Sequence, residues 1–189
     1  MFNRYKSKTD EVLMELLQQG SKPAFNEIYA RYSKRLLYFM FRLLNGDESL
    51  AQDKLHDVFL KLIERPDRFD STRQFKSWIY KVASNECNKH YRGTTGLSYE
   101  TLENVEDSVD PTIYQYLENT SFKRALTLHL KELSYEHKCT FVLRFQEGLS
   151  VKEISTIMDC PEGTVKSRIH HSTRILSNKL KEYNPINTL

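Results

Sequence analysis

The chain has 189 residues and a net charge of +3 from 28 Lys and Arg against 25 Asp and Glu, a balance that permits a nucleic-acid partner without demanding one. Aromatic residues make up 12%, too many for a disordered chain, and the length suits two small domains better than one large one. Cys87, Cys139 and Cys160 are odd in number and form no C-x-x-C pair, which argues against a disulfide framework or zinc ribbon and fits a reducing cytoplasm. Met1 to Lys8 lacks an apolar core of signal-peptide length, and no run approaches about 18 apolar residues, so an unexported chain without membrane insertion is expected.

From Thr9 to Gly20, Val12, Leu13, Leu16 and Leu17 form the stripe of a short helix that Gly20 ends. Pro23 opens a longer helix. Its Phe25, Ile28, Tyr29, Tyr32, Leu36, Tyr38, Phe39, Phe41, Leu43 and Leu44 exceed one narrow stripe, which predicts burial on more than one side. Asn45, Gly46 and Asp47 make a turn, and Asp47 or Ser49 caps the helix SLAQDKLHDVFLKLIER, which stops before Pro66. Its outer face, Gln52, Asp53, His56, Asp57 and Lys61, suits plain solvation and a docking surface equally well.

Pro66 to Phe75 is a loop rich in turn formers, where Phe69 reads more readily as a plug over the core than as a ligand contact. Phe75 to Arg92 is helical again, with Phe75, Trp78, Ile79, Val82, Ala83, Glu86 and Cys87 on the inner face. The remaining Lys76, Lys81, Asn85, Lys89, His90, Tyr91 and Arg92 interleave cations and rings, the composition of a platform for single-stranded nucleic acid. Thr94 to Ser121 carries Glu100, Glu103, Glu106, Asp107, Asp110 and Glu118 and no Lys or Arg, so it reads as an acidic linker of about 25 residues.

Phe122 to Leu133 resumes an amphipathic helix, Ser134 caps the next, and Gly148 stops it. Ser150 and Glu153 then form a capping box for a helix whose apolar face is Val151, Ile154, Ile157 and Met158. Pro161 and Gly163 turn the chain into a second helix, with Val165, Ile169, Leu176 and Leu180 inward and Ser167, His170, His171 and Arg174 on a polar outer rib. This is a helix-turn-helix pattern, and a donor-rich rib of that kind suits the DNA major groove. Asn184 to Leu189 reads as a frayed end.

Over about residues 9 to 182, the order of these parts resembles the extracytoplasmic-function group of bacterial RNA polymerase sigma factors, within the sigma-70 family. AQDKLHDVFLKL resembles that family's core-polymerase-binding helix, FKSWIYKVASNECNKHYR its minus-ten helix, and EGLSVKEISTIMDCPEGTVKSRI its minus-thirty-five domain. The resemblance implies an all-α fold of two small helical domains, residues 9–93 (region 2) and 122–182 (region 4), joined by a flexible acidic linker over 94–121. It implies a cytoplasmic, non-enzymatic initiation factor without cofactor or metal. Its partners would be core RNA polymerase, promoter DNA and, for many members, an anti-sigma factor.

Carried over position by position, the resemblance assigns Asp53, His56, Asp57 and Phe59 to polymerase binding. Phe69, Asp70, Arg73, Lys81, Asn85, Lys89 and Arg92 go to the minus-ten element, with the Phe69 to Gln74 loop holding a flipped base. Thr164, Lys166, Ser167, His170, His171 and Arg174 go to the minus-thirty-five element. His56-Asp57 stands where the family usually has Gln-Glu, and His171 where Arg is common. A self-sufficient helix-turn-helix regulator leaves the acidic linker and the basic aromatic helix without a task. A metal-dependent nuclease is disfavoured because adjacent pairs such as His56 and Asp57 point about 100° apart on a helix.

Overall fold

The computed structural model describes residues 3–94 and 121–181, and all regular structure among them is helical. The amino-terminal unit comprises α1 (Asn3–Lys6), α2 (Asp10–Gln18), α3 (Lys22–Leu43), α4 (Glu48–Glu64), a 3-10 turn (Pro66–Arg68) and α5 (Phe75–Thr94). The carboxy-terminal unit comprises α6 (Ser121–Leu130), α7 (Tyr135–Phe145), α8 (Val151–Met158) and α9 (Glu162–Lys179). α5 takes in Thr94, and α6 begins at Ser121, so the ends of the expected linker are helical. Its body, with all six acidic residues, lies outside the described residues, as does the expected frayed end.

Helix boundaries follow the local signals. Thr9 Oγ1 accepts Val12 N–H at 3.4 Å and Asp47 Oδ1 accepts Leu50 N–H at 2.9 Å, which settles the choice between Asp47 and Ser49 as the cap of α4. The turn before that cap places Asn45 and Gly46 at positive φ, 61° and 87°, where glycine carries no Cβ penalty.

α3 is the central helix of the amino-terminal unit. Ile28, Leu36, Phe39, Met40, Phe41 and Leu43 are all at most 1% exposed, so it is covered on several sides as its sequence predicts. Each such side chain gains roughly 1.5–3 kcal/mol over its exposed state. Tyr38, by contrast, is only half-buried, and Tyr29 is 45% exposed.

Three polar side chains tie the parts of this unit together. Arg31 donates to the carbonyls of Tyr5, Lys6 and Lys8 and to Asp10 and Glu27, so one guanidinium satisfies the carboxyl end of α1. Gln18 Nε2 donates to the Pro66 and Phe69 carbonyls at 3.0 and 2.9 Å, tying the 66–75 loop to α2. Glu11 Oε1 accepts the Phe75 amide at 3.0 Å and so caps α5 from a different helix.

In the carboxy-terminal unit the capping box is formed on both sides: Glu153 N–H donates to Ser150 Oγ at 3.2 Å and Ser150 N–H to Glu153 Oε2 at 2.7 Å. Asp159 closes α8 in the left-handed region and Pro161 stands as N-cap of α9. The two units also pack on each other, chiefly α5 on α8 and α3 on α7.

Candidate nucleic-acid interface

A cleft of 380 Å³ opens between the end of α4 and the middle of α5. Trp78, Val82, Asn85 and Asn88 supply its ring, apolar and amide surface, while Lys61, Arg65, Arg68 and Lys89 supply four cations. The Trp78 ring is half-buried, rests edge-on against Phe69 at 5.4 Å and lies tilted by 32° against Phe75 at 5.8 Å, so it is at once part of the core and part of the cleft wall.

Glu86 lies at the base of this cleft with 8% of its side chain exposed and takes Lys61 Nζ at 2.6 Å and Lys89 Nζ at 2.9 Å. Burial pushes the carboxyl up, but the hydrogen bonds from Lys61 and then Lys89 outweigh it and hold the group below its ordinary range. A fixed carboxylate therefore orients two of four cations around an open, ring-walled hollow. Such a hollow can stack an unpaired base and meet its phosphates.

Not every expected minus-ten residue reaches this cleft. Asn85 and Lys89 line it. Phe69 is 2% exposed and serves as the plug, closing the core against Phe75 and Trp78, so its ring faces inward instead of toward a base. Lys81 points to the other side of α5, donating to the Thr156 carbonyl of α8 at 3.4 Å. Asp70 accepts from Thr72 N–H and Thr72 Oγ1 and pairs with Arg73 at 3.4 Å, which rigidifies the exposed loop. The hydrogen bonds from Thr72 hold the Asp70 carboxyl below its usual range. The side chain of Arg92 is outside the described residues. Lys61, Arg65 and Arg68 were not among the expected minus-ten residues, although their spacing at the end of α4 is a visible basic run.

On α4, Asp53 and His56 are exposed and Asp57 pairs with Lys54 at 2.9 Å. Phe59 is 4% exposed and packs between Phe25 and Tyr29, so it supports the helix from within. The exposed apolar residues on that helix are Leu60, 42%, and Ile63, 50%, which extend the Asp53–Asp57 face by one turn.

On α9, Lys166, Ser167, His170, His171 and Arg174 are all exposed and Thr164 is half-exposed near its amino end, while Val165 and Leu176 are buried. The His171 ring rests 4.7 Å from that of His137 on α7. Burial, then the neighbouring His171 and Arg168, depress the His137 pKa. Arg168 turns inward with its guanidinium 3.6 Å from Cys160 Sγ, a contact that periodicity alone does not reveal.

Family descriptions match both halves of the chain: Sigma-70 region 2 over residues 28–96 and Sigma-70, region 4 over residues 123–174. The ECF RNA polymerase sigma-E factor of Haemophilus influenzae is 30% identical over 185 residues, covering 92% of this chain and 96% of that protein. The chain belongs to the extracytoplasmic-function group of the sigma-70 family. The Escherichia coli K12 sigma-E factor is 28% identical with coverage of 92% and 95%.

Among solved structures, CnrH in complex with the cytosolic domain of CnrY matches with a TM-score of 0.69 at 20% identity, covering 93% of this chain and 99% of that one. RpoE of Bartonella quintana, solved with the anti-sigma factor NepR, matches at 0.62 and 23%, covering 83% and 96%. The fold expectation of two helical units matching regions 2 and 4 is thereby met. This sigma factor is a non-enzymatic initiation factor that directs RNA polymerase to promoters. No helix among the described residues is long and apolar enough to cross a membrane.

Proposed function

We propose that the α4–α5 cleft receives an unstacked base of the minus-ten element, with Asn85 reading it, Trp78 stacking on it, and Lys61, Arg65, Arg68 and Lys89 meeting its flanking phosphates. The outer rib of α9, from Lys166 to Arg174, reads the minus-thirty-five element. The Asp53, His56, Asp57, Leu60 and Ile63 face of α4 docks on core polymerase. Residues 9–93 and 122–182 act as the two contact modules, with 94–121 as their tether, in a cytoplasmic protein. The complex of RpoE with NepR supports an anti-sigma partner for this chain as well.

The observation that carries the minus-ten reading is the coincidence of Trp78, Asn85 and four cations in one cleft. The test is reconstituted transcription with core polymerase on promoters varied one position at a time through the minus-ten element. Asn85→Ala should erase discrimination at one position, worth ~1–3 kcal/mol for a good base contact. An equal loss on every promoter would show that Asn85 reads no base.

A further inference from the structure

Within the carboxy-terminal unit α7 and α9 pack directly on each other. Beside that contact, half-buried His137 of α7 meets exposed His171 of α9, with ring centroids 4.7 Å apart and planes tilted by 50°. Beneath the pair the two helices are closed by buried Cys139, Val142, Val165 and Leu176, so the core sets the spacing of the rings.

A zinc-like ion takes an imidazole nitrogen at ~2.0–2.1 Å, and that nitrogen lies ~1.1 Å from its ring centre, so a shared ion stands ~3.2 Å from each centroid. Ligand angles of about 95–110° then put the two centroids ~4.7–5.2 Å apart. The observed 4.7 Å falls in this range, so the rings are already spaced for one shared ion.

A plain ring contact has a similar distance, and the second observation separates the two. His137 Nδ1 lies 2.8 Å from Ser134 Oγ, the oxygen that also caps α7 by accepting the His137 amide at 3.5 Å. A hydroxyl oxygen has two acceptor sites and can take both N–H groups. The tautomer with its proton on Nδ1 leaves the Nε2 lone pair for a metal, and a hydrogen bond at the other ring nitrogen is what supports a ligating histidine.

His170 does not join the pair, because adjacent helix positions diverge by about 100°. Among the described residues no three His, Cys, Asp or Glu side chains gather as a metal cluster. The pair thus offers two protein ligands and leaves the rest of the shell to water, which suits an exchangeable ion and not a closed structural site. Around His137, Glu136 on its own helix favours a cation, whereas Arg168 on α9, with its guanidinium at Cys160 Sγ, opposes one.

We infer that His137 and His171 form a two-histidine site for a divalent transition-metal ion such as Zn²⁺ or Ni²⁺, bridging α7 to the outer rib of α9. An ion held there withdraws His171 from the minus-thirty-five element. That consequence rests on the reading of α9 given above; the site itself does not.

Isothermal titration of the full chain with Zn²⁺, Ni²⁺ and Mg²⁺ tests the site. Zn²⁺ and Ni²⁺ should bind saturably and Mg²⁺, which prefers oxygen ligands, should not. His137→Ala and His171→Ala should each weaken Zn²⁺ binding at least about tenfold, since losing even an outer-shell partner costs about 10–100-fold. His170→Ala should leave the Zn²⁺ affinity as it is. Ser134→Asp keeps an N-cap acceptor and puts a carboxylate behind Nδ1, so it should tighten binding by about tenfold or more.

The absence of saturable Zn²⁺ or Ni²⁺ binding up to about 1 mM would overturn the site. So would equal Zn²⁺ affinities in wild type, His137→Ala and His171→Ala, or a loss in His170→Ala as large as in His171→Ala. Should His137→Ala fail to fold, His171→Ala and Ser134→Asp decide, and affinities equal to wild type in both refute the inference. Zn²⁺ should also shift the minus-thirty-five preference of the wild-type holoenzyme toward that of His171→Ala and leave His137→Ala unmoved. If Zn²⁺ binds with these histidine dependences while the wild-type preference stays put, the site stands and the role given to His171 on DNA fails.

Discussion

Replacing Glu86 by Gln tests whether one carboxylate organises the minus-ten cleft. It removes the negative charge from two ion pairs of 2.6 and 2.9 Å while keeping the side-chain shape and one acceptor oxygen. A hydrogen bond involving a charge contributes ~1.5–3 kcal/mol and a neutral one ~0.5–1.5. Lys61 and Lys89 are 39% and 67% exposed, so solvent already screens part of each pair. The expected loss is about 1–2 kcal/mol, which for a chain of this size lowers Tm by about 2–8 °C.

Because the Glu86 carboxyl sits below its ordinary pKa of 4.5, its stabilisation is complete above that value and fades as the pH falls below it. The gap between wild type and Glu86→Gln should therefore be constant from about pH 5.5 to 8 and close in acid. The freed lysines should also make binding of a single-stranded minus-ten oligonucleotide by the holoenzyme more salt-dependent, by a slope of up to ~0.7 for each further phosphate neutralised. A Tm within 1 °C of wild type together with an unchanged salt slope would refute the role given to Glu86.

Leu60→Asp, on an exposed position, should change stability by less than ~0.5 kcal/mol yet weaken core-polymerase binding at least tenfold in a pull-down or anisotropy titration, whereas Phe59→Ala should cost ~3–5 kcal/mol of stability. Equal and purely structural effects of the two would remove the docking face. Arg174→Ala should lower the salt slope of minus-thirty-five binding by ~0.9 on every sequence if it meets a phosphate, while His171→Ala should shift sequence preference. Identical losses on all sequences would deny His171 any reading.

Burial, with Lys131 as the like-charged neighbour, pushes Lys138 down to about 8 from 10.5, and the groups that accept its hydrogen bonds from the other elements are the Asn45 amide oxygen and the Tyr91 hydroxyl. The packed form thus bears a cost of about 3 kcal/mol below pH 8 that disappears as the pH climbs to 10.5. The stability advantage of Lys138→Met over wild type should narrow across that interval in chemical denaturation. A constant advantage would show that Lys138 does not titrate there.

The sequence determined what adjacent residues decide. Ser150 with Glu153, Asp47 ahead of α4 and the Asn45-Gly46 turn each act within about four residues, so they were legible as written. The outer rib of α9 followed from periodicity, and Ser167, His170, His171 and Arg174 lie exposed where it placed them.

Tertiary structure decided where two signals compete for one side chain. Phe69 could plug the core or face a base, and Gln18, Phe75 and Trp78, distant in sequence or on another element, turn it inward. Phe59 sits on the expected polymerase helix but packs against Phe25 and Tyr29. The cleft requires Lys61 to Arg68 to meet Trp78 to Lys89, and Glu86 joins them across two helices. The contact between the units includes the polar pairs Tyr80 with Glu147 and Lys138 with Asn45, residues without a shared period, and pairings of that kind exist only once the chain has folded.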